Sequence, residues 1–162
     1  MSKAMERQRL IRLFKEETGQ TEIDMHDVAR FAVRLGYPLP TPPDAIDLLA
    51  KTFSEAARQE IRHDKKTGRP YRANHAVPAH TANGQTVFYW IDIDDPETKP
   101  SNMLKSAVMR REQMVDDGVQ LSLDLDRWNS IRPEADHIQL PFDLTPDIDW
   151  RRNTLDDRDQ AA

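Results

Sequence analysis

The chain has 162 residues, a formal net charge of −5 and no cysteine. This length suits one domain with a small extension, and the lack of cysteine excludes structural disulfides, thiolate catalysis and Cys-based zinc sites. No apolar run approaches the roughly 18 residues of a membrane-spanning helix, and the charged N-terminus lacks the pattern of a secretion signal, so the sequence predicts a soluble, cytoplasmic protein.

Three helices are predicted in the first third of the chain. The first spans about residues 2–18 and ends at Gly19, and the second begins after Asp24. The third is indicated by a capping residue, Thr41, followed by proline, and is expected to run to about Arg62. Apolar residues recur at helical spacing in the third helix. We expect the following of them to be buried: Ile46, Leu49, Ala50, Phe53, Ala57 and Ile61.

A β-hairpin is predicted after a basic connection rich in turn formers. Strands are expected over about 71–80 and 85–93, because the second is dense in β-branched and aromatic residues. Asn83 and Gly84, between the strands, form the preferred pair for a two-residue type I′ turn. The hairpin is therefore expected to close at this turn.

Three aromatic residues adjoin one another on the second strand. Phe88 and Trp90 share one face of a strand, and Tyr89 lies on the other. We expect two of the three to be buried in the core. A face left exposed would be able to stack a base or cover a partner.

A long amphipathic segment follows Pro100. Apolar residues recur at helical spacing and favour one helix over about 101–129. The alternative ends the helix at Gly118, since the residues beyond it also alternate as in a strand. A single helix would carry a stripe wide enough to form a homodimer through 101–129. The stripe consists of Leu104, Val108, Val115 and Leu125.

Together these elements predict an α+β fold. We expect a winged-helix-like three-helix core with a β-hairpin wing over 1–97, and an amphipathic helical extension over 98–131. An acidic, proline-containing tail over 132–162 is expected to have little order of its own.

Charge is distributed unevenly along this fold. Residues 58–75 carry six cations against two carboxylates, whereas 133–162 carry eight carboxylates against three arginines. A cationic segment next to a β-ribbon favours contact with a phosphate backbone. The side chains predicted to contact DNA are Arg58, Arg62, Lys65, Lys66, Arg69 and Arg72. Asp44 and Asp47 argue against this interpretation, because they would repel phosphates at the start of the third helix. The alternative is a solvated charged loop on an ordinary domain.

The leading functional prediction is a non-enzymatic DNA-binding regulator, for example of transcription, or an accessory factor. A protein-interaction adaptor is the second hypothesis, because the tail segment Gln139–Trp150 places apolar residues in a polar chain, as docking peptides do. This segment resembles, over a few residues, the bacterial sliding-clamp-binding pentapeptide. Its predicted docking residues are Gln139, Leu140, Phe142 and Leu144.

A small metal-dependent nuclease is the third hypothesis. Carboxylates at a strand end can hold a divalent cation, and Asp92, Asp94 and Asp95 stand at such an end. No lysine accompanies them within the strand. In the expected register His75 lies opposite Asp92, but His80 points to the other face, so the histidines do not predict a metal site. We expect no cofactor.

Overall fold

The computed structural model describes residues 2–159, with side chains described for 2–154. Within this range it contains five α-helices and two small antiparallel hairpins, which confirms the α+β class. Internal contacts divide the chain into two units, Met1–Asp47 and Leu48–Ala162. None of the described helices is long and apolar enough to cross a membrane.

The first unit contains α1 (Lys3–Thr18) and α2 (Met25–Arg34), whose boundaries are close to those predicted. The Ser2 hydroxyl and the Asp24 carboxylate accept hydrogen bonds from the first turns of the two helices. Gly19 ends α1 with a φ of 66°, a left-handed conformation that glycine adopts without strain. Local capping chemistry therefore accounts for both helices.

A small aromatic core joins these two helices. Phe14 of α1 and Phe31 of α2 are buried edge to face, with ring centres 5.5 Å apart, and Val28 is buried beside them. Edge-to-face pairs add stability beyond the apolar area that they bury, because the positive edge of one ring meets the negative face of the other.

The third helix, α3 (Ala45–Gln59), is shorter than predicted at both ends. Its first turn donates to the Asp44 carboxylate, from the Ile46 N–H at 2.8 Å, and not to Thr41. Two consecutive prolines follow Thr41, and the second disfavours the helical conformation of the first. The helix therefore begins after the prolines.

The predicted burial of the α3 apolar face is wrong. No residue of α3 is buried, and Ile46, Leu49 and Phe53 are 70%, 52% and 68% exposed. Of the remaining predicted positions, Ala57 is half-buried, Ala50 is exposed, and Ile61 is exposed in a strand. Helical spacing specifies an apolar face, but it does not specify what covers that face.

A short hairpin that was not predicted follows α3. β1 (Ile61–His63) pairs with β2 (Pro70–Arg72), and Arg62 lies opposite Tyr71. The turn is closed by the Asp64 N–H, which donates to the Arg69 carbonyl at 2.9 Å. Arg62 thus lies in a strand, whereas the sequence analysis had placed it at the end of the third helix. Three-residue strands are too short to show a period in the sequence.

The predicted hairpin is present as β3 (Asn74–His80) and β4 (Thr86–Asp92), but its register differs by one residue from that expected. His75 lies opposite Ile91, and not opposite Asp92. A shift of one residue exchanges the cross-strand partner of every side chain.

The turn of this hairpin explains the shift. Thr81 and Gln85 pair across a three-residue loop, and the Gly84 N–H donates to the Thr81 carbonyl at 2.9 Å. Gly84 has a φ of 75°, whereas no described residue other than glycine has a positive φ. A type I′ turn would require positive φ at Asn83 as well. The loop is therefore a type I turn followed by a left-handed glycine, which adds a residue to the connection.

The fourth helix, α4 (Pro100–Ile131), is continuous through Gly118, which confirms the prediction of a single helix. It packs against β3, and Ser106 is the most deeply buried described residue of the helix, with an exposed fraction of zero. A small side chain at this position lets the helix approach the strand closely.

The tail contains more structure than predicted. After a 3₁₀ turn, Glu134–Asp136, it forms a helix, α5 (Thr145–Asp159). Two side chains near the end of α4 hold the chain where it turns back, since Trp128 Nε1–H donates to the Asp136 carbonyl at 2.9 Å and Asn129 bonds to the Ile138 backbone. The sequence analysis did not predict this helix.

Candidate functional site

A cavity of about 590 Å³ lies in the second unit between the end of α3, the β3–β4 hairpin and α4. Its lining residues include three arginines, Arg58, Arg72 and Arg110, and no aspartate or glutamate. We call this cavity, with these three side chains, the cationic groove. A groove that gathers one sign of charge concentrates ligands of the opposite sign.

Each arginine of the groove comes from a different element. Arg58 lies in the last turn of α3, Arg72 ends β2, and Arg110 lies in α4; all three are exposed. The Arg58 guanidinium lies 5.5 Å from the ring centre of Trp90, within the range of a cation–π contact. This contact orients Arg58 toward the hairpin and leaves its donors available at the rim.

Two aromatic rings line the same groove. Phe88 and Trp90 lie on one face of β4, as alternation predicts. Phe88 is 54% exposed, Tyr89 on the other face is 63% exposed, and Trp90 is half-buried. The prediction that two of the three are buried is wrong, because the buried side chains of the hairpin are supplied by β3, among them His75 and Val77.

Polar side chains fix the position of the arginines. Asn74 Nδ2 donates to the Glu60 carboxylate at 2.8 Å and to the Ala57 carbonyl at 3.3 Å, which connects the start of β3 to the end of α3. The buried His75 ring places Nε2 3.0 Å from the Arg72 carbonyl. In the tautomer with a proton on Nε2, His75 donates to this carbonyl and holds the backbone of Arg72 beside the hairpin.

Arg62 occupies a different position, surrounded by carboxylates. Its guanidinium lies 2.8 Å from an oxygen of each of Glu60, Asp92 and Asp94. The Tyr71 hydroxyl donates to Asp94, also at 2.8 Å. We call these five residues the Arg62 cluster. Because all three guanidinium nitrogens donate within the cluster, Arg62 has its donors occupied by the chain's own carboxylates.

The cluster shifts the titration of its members. Hydrogen bonds from Arg62 lower the pKa of Glu60, Asp92 and Asp94, and the same bonds, that to Asp92 foremost, raise the pKa of Arg62. The hydrogen bond to Asp94 raises the pKa of Tyr71. All members therefore favour the charge state in which the cluster is intact at neutral pH.

The remaining predicted cations lie at the turn between β1 and β2. Lys65, Lys66 and Arg69 line a second, more open depression together with Arg62. Asp64 and Asp94 also line it, so that negative charge is present beside the lysines. Of the six predicted cations, two therefore line the cationic groove, one lies in the Arg62 cluster and three lie at the turn between β1 and β2. Only Arg58 and Arg72 lie in the cationic groove.

Arg110 was missed by sequence reasoning. It lies 38 positions after Arg72, inside a helix whose pattern gave no sign of which face meets the hairpin. No signal in the sequence would have joined it to the cationic segment, because the contact depends on how α4 packs on β3.

The residues considered for metal chemistry have other partners. Asp92 and Asp94 bind Arg62, and the His80 ring lies 3.4 Å from the Thr86 hydroxyl. Among the described side chains, no group of three or more histidines and carboxylates is placed to hold a metal ion. Asp95 accepts from the Glu97 N–H at 2.9 Å, as a turn-forming carboxylate does.

The predicted docking residues lie before α5, in a segment that forms neither helix nor strand. All four are exposed: Gln139, Leu140, Phe142 and Leu144. Of the predicted dimer stripe on α4, Leu104, Val108 and Val115 are exposed and Leu125 is half-buried.

No protein-family model, curated protein or solved structure matches this chain.

Proposed function

We propose that the protein binds DNA through the cationic groove, as a non-enzymatic regulator or accessory factor. The observation that supports this proposal is the convergence of Arg58, Arg72 and Arg110 on one cavity without a carboxylate in its lining. Guanidinium groups match phosphate because their planar donors can bind two oxygens at once. Each neutralised phosphate also releases counterions, which adds a favourable, salt-dependent contribution to binding.

The proposed binding mode differs from a winged helix in its contacts. A winged helix would use the start of α3 and the tip of the hairpin. Here the start of α3 carries Asp44 and Asp47, and the tip Ala82–Gln85 has no cation. The cations lie at the end of α3 and at the start of the hairpin. We therefore place the DNA backbone along the groove and not at the wing tip.

The turn cations extend this surface in the proposal. Lys65 and Lys66 are exposed and add long-range attraction, but Asp64 and Asp94 in the same depression reduce their effect. Arg62 is a positioning residue. It holds β1 to the end of β4 and thereby supports Arg72.

The proposal can be tested by an anisotropy titration with labelled DNA of about 20 nucleotides, both single-stranded and duplex. The salt concentration is varied from about 20 to 200 mM. We expect binding that weakens with salt. Arg72→Glu should lower the affinity about tenfold or more, because it removes a charge-assisted hydrogen bond and adds repulsion. Lys66→Glu is the matched reversal at the turn, and its effect should be about threefold or less. Absence of binding to both forms at low salt, or an unchanged affinity for Arg72→Glu, contradicts the proposal.

A protein-interaction adaptor is the second candidate, and the exposure of Leu140, Phe142 and Leu144 favours it. An apolar segment between acidic residues suits a groove with a basic rim on a partner protein. Both candidates are compatible with pairing of two copies through the exposed α4 stripe of Leu104, Val108 and Val115.

A further inference from the structure

We infer that the cationic groove accepts an unpaired nucleic-acid strand, with a base stacked against Phe88 and Trp90 and the adjoining phosphates held by the arginines. This inference rests on the proposed function and specifies the form of the nucleic acid. The two rings come from β4, and the three guanidinium groups come from α3, β2 and α4.

Phe88 lies outside the buried core. Phe88 is more than half exposed, although burial of an aromatic side chain is among the larger contributions to folding. Arg58 covers part of Trp90, so that Phe88 is the open ring of the pair. An exposed ring beside cations is the arrangement on which single-stranded nucleic acid stacks, because every base offers a flat face and every linkage a phosphate.

A duplex cannot use these rings in the same way. In a duplex each base face is covered by its neighbours, and only base edges are displayed in the grooves. A side-chain ring therefore reaches a base face only when the strand is unpaired. The cavity of about 590 Å³ is in the range that encloses a small ligand, which suits one or two nucleotides and not the width of a double helix.

The polar lining also suits a flexible strand. Three guanidinium groups on three different elements are best matched by a backbone that can turn to bring successive phosphates to each. Gln113 lies in the same lining and can donate to or accept from base edges, and the Asn74 side-chain oxygen can accept from them. An acidic peptide would satisfy the arginines but would leave the rings without a stacking partner.

The test compares three labelled probes of equal length with the full chain: a mixed-sequence single strand, its duplex, and a single strand made of abasic sites. We expect the mixed single strand to bind about tenfold or more tightly than either of the others. Phe88→Ala should weaken binding of the mixed strand about five- to a hundredfold and leave the abasic strand unchanged. Phe88→Leu, which keeps an apolar side chain at this position, should show the same selective loss.

Tyr89→Ala is the matched control, because Tyr89 is a neighbouring exposed aromatic on the opposite face of β4. It should leave all three affinities unchanged. If the three probes bind equally and Arg72→Glu still weakens them, the inference is wrong and the proposed function stands. If no probe binds at low salt, both are wrong. Displacement of the strand by an oligoglutamate peptide of equal charge, at equal concentration, would also overturn the inference.

Discussion

Replacing Arg58, Arg72 and Arg110 together by glutamine is expected to abolish measurable nucleic-acid binding at about 150 mM salt while the chain stays folded. Each arginine that contacts a phosphate contributes about 0.7 to the slope of log affinity against log salt for a single strand. Loss of all three should therefore reduce this slope by about 2. The three side chains are exposed, so the fold should lose little more than the contact between Arg58 and Trp90. Anisotropy titrations at several salt concentrations measure the slope, and circular dichroism shows whether the variant is folded.

A second triple variant controls for net charge. Arg9, Arg12 and Lys15 of α1 are exposed, and their replacement by glutamine changes the charge of the chain by the same amount. This variant should keep the slope of the unmodified protein. If both triple variants weaken binding equally, attraction comes from total charge and the cationic groove has no specific role.

Arg62→Leu is expected to destabilise the second unit strongly. Removal of the guanidinium leaves Glu60, Asp92 and Asp94 without their shared partner, and neighbouring carboxylates then repel one another. Isolated surface ion pairs contribute little, but a network in which one arginine binds several carboxylates is the exception. The urea midpoint of unfolding should fall clearly. Arg30→Leu, which breaks the well-exposed pair with Asp27, should leave the midpoint nearly unchanged.

The stability of the fold should depend on pH in the acid range because of the Arg62 cluster. Because the pKa of its carboxyl groups is lower in the folded than in the unfolded chain, they stabilise the fold above their unfolded pKa values. This contribution begins to be lost as the pH falls below about 4.5, near the pKa values of the unfolded chain. The loss is complete once the pH has fallen below the lowered pKa values of the folded chain. The melting temperature should decline over this range, and the decline should be shallower in Asp94→Asn. Asp95→Asn, one residue further along, should behave as the unmodified chain, and an equal effect of the two would contradict the account.

The boundaries of α1 and α2 were the most predictable part of the fold. The ends of α1 and α2 follow from local signals, such as the capping side chain of Asp24 and the left-handed Gly19. The existence of the β3–β4 hairpin followed from residue types and alternation. Its register did not, because it depends on whether Asn83 adopts a positive φ, and the sequence allows either turn.

The candidate site was less predictable than the fold. A cluster of cations in the sequence does not show which of them meet carboxylates, and Arg62 binds residues 30 and 32 positions away. The shift of one residue in β3–β4 placed Asp92 opposite Asn74, and not opposite His75. Arg110 joined Arg58 and Arg72 through the packing of α4, which is a tertiary effect without a local signal.

The most direct test of the central claim, that nucleic acid lies in the cationic groove, is an NMR titration of the tryptophan indole N–H signals. The three tryptophans are well placed for it: Trp90 lines the groove, Trp128 donates to the Asp136 carbonyl, and Trp150 lies in α5. On addition of a single strand, we expect a saturating shift of the Trp90 signal, with the other two signals unchanged. A Trp90 signal that stays in place while the strand is fully bound, or a shift confined to Trp150, would contradict it.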